Sequence, residues 1–129
     1  MNIAIFDIES AGALHHWSSI LEIGGVLVNK DLKELDRFNL RCRIPEGEIP
    51  QAAALIVNKT NVNLLTKSNL SLYQMQTQLE SIIRKWTPAI FMGWSNLTFD
   101  DPMIQNSFFR GLRYPYLTNS SPNKRHDGL

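Results

Sequence analysis

Asp7 and Glu9, near the start of the chain, are separated by one residue. In a strand, positions two apart project from one face, so this spacing aims both carboxylates the same way. Such a pair repels itself unless a positive group lies between its members. A divalent cation is the usual answer, because hard cations take oxygen ligands. Spacing alone is weak evidence: with 12 acids in 129 residues, about one such pair is expected by chance. Three occur, Asp7/Glu9, Glu34/Asp36 and Glu46/Glu48. The second and third lie in turn-like polar surroundings and read as solvated surface. The first ends the apolar run Ile3–Phe6, where burying unpaired charge is costly. A metal or catalytic role accounts for it; the simpler alternative is a pair of strand-end charges in solvent.

A second candidate is the stretch Gly93-Trp94-Ser95-Asn96-Leu97-Thr98-Phe99-Asp100-Asp101. It follows a short apolar run and opens a helix. Asp100 or Asp101 can serve simply as the helix N-cap. A ligand role for Asp100 requires it to face the same cleft as Asp7. Trp94 can stack on a base or fill the core. His15-His16 lacks a third ligand at helical or hairpin spacing and reads as polar loop. Lys30, Lys33, Arg41 and Arg43 form no dense patch and read as a solvated strand face.

The elements that must position these residues follow from periodicity. Ile3–Phe6 is continuously apolar, as in a strand buried on both faces. Ile20–Val28 is a second strand, with Gly24-Gly25 marking a bulge or a close approach. Asn29-Lys30-Asp31 is turn chemistry. Phe38, Leu40, Cys42 and Ile44 alternate with Asn39, Arg41 and Arg43, a strand with one wet face that Pro45 ends. Short links make these three strands antiparallel. Gln51–Val57 reads as a short helix. Ser71 and Gln74 make a capping box, and Leu72, Met75, Leu79, Ile82, Ile83 and Trp86 repeat at helical spacing until Pro88. Ala89–Met92 is strand-like. Pro102 sits near the first position of a helix whose apolar face is Met103, Ile104, Phe108 and Leu112. Beyond Tyr114 the composition reads as loop or frayed tail. Strand, strand, strand, helix, strand, helix is an α/β layout: a mixed sheet with flanking helices.

The bulk numbers bound the function. The chain of 129 residues is long enough for one domain with a core. A net charge of +1 excludes a protein that works by coating phosphates, though not one that binds nucleic acid through a local patch or through metal ions. The single cysteine, Cys42, rules out an intrachain disulfide and fits a reducing compartment. The N-terminus is not a signal peptide, and no apolar run approaches the roughly 20 residues of a membrane span. The expectation is a cytoplasmic protein with no membrane partner.

At the two acidic segments the sequence resembles the DEDD superfamily of 3′→5′ exonucleases, and within it the bacterial exonuclease I type. The first motif of that family, Asp-x-Glu followed by Thr or Ser, resembles Asp7-Ile8-Glu9-Ser10. Its second strand resembles Ile20–Val26, and its second motif, Gly-x-Asn-x-x-Phe-Asp, matches Asn96, Phe99 and Asp100. Asn106-Ser107-Phe108-Phe109-Arg110 and Pro115-Tyr116 resemble the helix and Pro-Tyr that follow it in exonuclease I. The likeness covers nearly the whole chain. The third motif, a His or Tyr shortly before a final Asp, has no counterpart here. His126-Asp127 is adjacent, not spaced, and matches the family segment just after the second motif, with Asp127 near the start of a further helix.

The resemblance implies a ribonuclease H-like sheet, three antiparallel strands first and then parallel ones, cut short. Residues 1–129 would be the N-terminal part of a single exonuclease domain. It implies two divalent ions, Mg²⁺ or Mn²⁺, about 4 Å apart. Asp7 would bridge them, Glu9 would hold the ion carrying the attacking water, and Asp100 the other. Ser10 and Gly12 would lie beside the 3′-terminal nucleotide, with Asn96 and Phe99 shaping the pocket. The implied reaction is hydrolysis at the 3′ end of single-stranded DNA. The alternatives are an RNA-directed exonuclease of the same superfamily, or an inactive remnant that binds only metal or nucleic acid.

Overall fold

A computed structural model of the chain describes residues 1–10, 12, 19–45, 48, 70–93, 101–118, 120 and 122–127. Its element order is β1 (Asn2–Ser10), β2 (Ile20–Val28), β3 (Glu34–Arg41), α1 (Leu72–Trp86), β4 (Ala89–Gly93), α2 (Asp101–Arg110) and β5 (Lys124–Asp127). The strands form one sheet in the order β3-β2-β1-β4-β5. β1 pairs antiparallel with β2, and β2 antiparallel with β3. β4 pairs parallel with β1, and β5 parallel with β4. This is the mixed sheet expected, three antiparallel strands and then parallel ones, with one strand more than the sequence suggested.

One face of the sheet carries the core. Ala4, Phe6 and Ile8 of β1, Ile23 and Leu27 of β2, Leu40 of β3 and Phe91 of β4 are buried there. They pack with Met75, Leu79, Ile83 and Trp86 of α1 and Met103, Ile104 and Phe108 of α2 in one cluster. α1 starts where its capping box lies: the Ser71 hydroxyl accepts from the Gln74 amide, and the Gln74 side chain accepts from the Ser71 amide. It ends at Trp86, where Thr87 turns extended and Pro88 follows.

The glycines of β2 mark a close approach and not a bulge. The register shifts fall at Glu9/Ser10 and at Leu27/Val28, while a side chain at Gly25 would collide with the Phe38 ring. The segment after Tyr114 is not a frayed tail. It turns and then forms β5, which includes His126 and Asp127; the further helix expected near Asp127 lies outside the described residues. Buried Asn123 anchors that strand: its side-chain oxygen accepts from the Ala89 amide (2.9 Å). Its amide group donates to the Thr87 hydroxyl (2.9 Å) and the Leu117 carbonyl (2.8 Å). The expected helix over Gln51–Val57 lies outside the described residues.

Candidate active site

β1 is the central strand, and its odd-numbered residues face away from the helices. Asp7 is exposed and Glu9 half-buried, while Phe6, Ile8 and Ser10 are buried on the helix side. The two carboxylates therefore share one face, at the end of β1 where the chain leaves the sheet. Opposite Asp7 on β2 stands Gly24. A Cβ built there would come no nearer than 3.7 Å to its closest neighbour, the Phe38 carbonyl, so the side chain missing at Gly24 leaves room beside Asp7. Ile5, Val26 and Met92 join them to line a trough of about 640 Å³. Ile5, 42% exposed, is an apolar surface open to whatever enters it.

Glu9 stands opposite Glu22 of β2, and Glu22 opposite Arg41 of β3. Arg41 pairs with Glu22 at 3.2 Å. Partial burial pushes the Glu9 carboxyl above the ordinary carboxylate range, and the charges of Asp7 and Glu22 push it further. Two like charges on one face at a strand end are a place where a cation is favoured, and their oxygens suit a hard divalent ion. Glu22 is already paired with Arg41, so Asp7 and Glu9 are the described donors that suit such an ion, and they are two and not a full set.

Ser10 turns the other way. Its hydroxyl donates to the Gly12 carbonyl at 2.6 Å and holds the turn that follows β1. Asn96, Phe99 and Asp100, with Trp94 and the pair His15-His16, lie outside the described residues. What is visible is where their segment begins: β4 runs parallel to β1, Ile5 opposite Met92, so the chain leaves Gly93 alongside the end of β1 that carries Asp7. Among the described residues no group of three His, Cys, Asp or Glu is arranged to hold a metal.

The two acidic pairs expected as solvated surface are not both idle. Asp36 accepts from the Trp86 indole at 3.0 Å and pairs with Lys85 at 3.3 Å, tying β3 to α1. Glu48 accepts from the Ser19 amide (3.1 Å) and hydroxyl (2.6 Å). Arg41, which alternation placed on a wet strand face, belongs to the charge row beside Glu9; the signal is cross-strand register, which a single sequence does not display.

No protein-family model matches the chain. A curated relative, the PolC-type DNA polymerase III of Mycoplasma pneumoniae, is 30% identical over 105 residues, 81% of this chain and 7% of the polymerase. Among solved structures, Escherichia coli exonuclease I in complex with a dA16 oligonucleotide superposes with a TM-score of 0.90 at 17% identity. The match covers 98% of this chain and 28% of that one. A zinc-bound form of the same enzyme with single-stranded DNA gives 0.90 at 16% identity, covering 98% of this chain and 27% of the other. The chain thus spans less than a third of the solved chains it resembles.

Proposed function

We propose that this chain, which has the ribonuclease H-like fold of exonuclease I and bears out the resemblance to the DEDD exonucleases, is the first part of a metal-dependent nuclease domain. The proposed reaction removes nucleotides from the 3′ end of single-stranded DNA and releases nucleoside monophosphates. The observation that carries this reading is the Asp7/Glu9 pair: two carboxylates on one face of the central strand, at its open end, beside a trough with a glycine floor.

Asp7 and Glu9 would hold the metal, and Asp100, the residue before α2 in the sequence, would join them. When bound, divalent ions supply Lewis-acid activation of water and neutralise the phosphate and the departing 3′ oxygen. The chain's own part is positioning. Glu22, fixed by Arg41, keeps the Glu9 side of the cluster negative, which favours cation binding. Ile5, Val26 and Met92 offer an apolar bed for the sugar and base of the terminal nucleotide. Gly24 lets that nucleotide lie close to the strand backbone. Residues 1–129 contain no His or Tyr at the family's spacing before a final Asp, the element to which the resemblance assigns activation of the water.

The test is hydrolysis of a 5′-labelled single-stranded oligonucleotide with Mg²⁺ or Mn²⁺, alongside Mn²⁺ binding by calorimetry. The expected result is metal binding by the chain, and slow shortening from the 3′ end that Asp7→Asn abolishes. Asp7→Asn should also weaken Mn²⁺ binding at least about tenfold, the effect of removing a bridging charge. Wild-type turnover that persists in Asp7→Asn, or in EDTA, would refute the assignment.

A further inference from the structure

Glu22 stands between neighbours of opposite charge in one cross-strand row. On β1 it faces Glu9, and on β3 it faces Arg41. Directly opposed side chains of antiparallel strands are about 5 Å apart at Cβ, so a Glu in the middle reaches either neighbour by a change of rotamer. Arg41 holds it, with Nη1 donating to Oε2 at 3.2 Å. We propose, resting on the reading of Asp7 and Glu9 as metal ligands, that Arg41 is a positioning residue that withholds Glu22 from their cation. Drawn to Arg41, Glu22 stays out of the ion's shell; released, it supplies a third carboxylate.

The row lies on the correct face. Ile23 of β2 and Leu40 of β3 are buried towards the helices, so their neighbours Glu22 and Arg41 project with Asp7 and Glu9 from the other side of the sheet. The hold on Glu22 is light. Both side chains are 31% exposed and share a single bond, and the second oxygen of Glu22 has no hydrogen-bond partner among the described residues. The buried Nε of Arg41 finds no acceptor there either. The guanidinium therefore does not close the two-point fork that makes arginine–carboxylate pairs strong. A one-point, partly exposed pair is worth little in solution, and a divalent ion at Asp7 and Glu9 competes with it for the carboxylate. With Glu22 turned to Arg41, no three acids among the described residues are arranged around one metal position, although Asp7, Glu9 and Glu22 occupy adjacent rows of the same pair of strands. Arg41 thus opposes the cation twice, by its own charge and by the carboxylate it keeps.

The experiment is a Mn²⁺ titration of the full chain by calorimetry, with no nucleic acid present. Arg41→Gln should bind Mn²⁺ about fivefold more tightly than wild type, the ordinary worth of a partly exposed ion pair that the ion no longer has to break. In a Glu22→Gln background the same Arg41 substitution should give little or no gain, the non-additivity expected of two side chains in direct contact. Arg41→Lys, which keeps a cation opposite Glu22, should stay near wild type. Arg37→Gln removes another cation from the same face of β3, opposite Val26, and leaves the row intact; it should also match wild type. Circular dichroism of each variant checks the fold. An Arg41→Gln chain that binds Mn²⁺ no more tightly than wild type, or a gain that survives in full in the Glu22→Gln background, would overturn the role of Arg41 and leave the Asp7/Glu9 site standing. Mn²⁺ binding by none of these chains would overturn both.

Discussion

Glu9 sits where its charge is disfavoured, by partial burial first and then by the charges of Asp7 and Glu22, and protonation or a cation relieves it. Because its carboxyl titrates above the ordinary range, the linkage sign is definite. Stability associated with its protonated form is present below the unfolded value near 4.5 and is lost as pH rises through the raised folded value. Glu9→Gln should therefore raise the melting temperature in EDTA at neutral pH, with a gain that fades as the pH falls through the raised folded value and is gone below about 4.5. The same substitution should weaken Mn²⁺ binding. A Glu9→Gln chain no more stable than wild type in thermal denaturation would show that the carboxylate is at ease without metal. Cys42 is the opposite case: buried, its thiol donating to the Ile20 carbonyl at 3.1 Å, it is pushed up to about 12, first by burial and then by the Glu48 charge. It should stay unreactive to a thiol reagent at pH 8 and react at once in denaturant.

The elements were legible where local signals sufficed. The capping box and 3.6-residue spacing of α1 fixed Ser71 as its start and Trp86 as its end. The nine residues of β2 were readable from an Ile/Val run. β3 begins earlier than alternation indicated, at Glu34, because its first residues are polar and only its pairing with β2 makes them a strand. β5 was illegible for a stronger version of that reason. Lys124-Arg125-His126-Asp127 has no apolar residue, and what makes it a strand is the β4 edge and the Asn123 side chain. Of the site, Asp7 and Glu9 could be found from a carboxylate pair ending an apolar strand; Glu22 and Arg41 could not, because register links them. Two predictions belong here. Ser71→Ala should destabilise the fold by about 1 kcal/mol, the usual cost of a lost N-cap. Asn123→Ala, which strips a partner from the buried Ala89 amide and Leu117 carbonyl and from the half-buried Thr87 hydroxyl, should cost about 2 kcal/mol or more. Urea denaturation measures both, and equal midpoints for wild type and Asn123→Ala would show that β5 is held some other way.

Among the described residues, α1 and α2 cover one face of the sheet, and Asp7 and Glu9 sit on the other. Core substitutions should therefore act on stability and leave metal binding to the surviving folded fraction. Phe108→Ala, at a fully buried position between α2 and the sheet, should lose about 3–5 kcal/mol. Its residual folded population should bind Mn²⁺ as wild type does, which calorimetry below the melting temperature can check.

The strand that bears Asp7 and Glu9 is made almost first and finished almost last. β1 can join β2 as a hairpin early, yet its other edge waits for β4, with Asn2 opposite Ala89. A contact so distant along the chain carries a large loop-closure entropy and forms slowly. During synthesis, which proceeds from the amino end, the pairing cannot close until Gly93 has left the ribosome. An emerging chain thus has its acids in hand long before it has a sheet to hold them, and a nascent fragment ending before β4 should show no Mn²⁺ affinity at all.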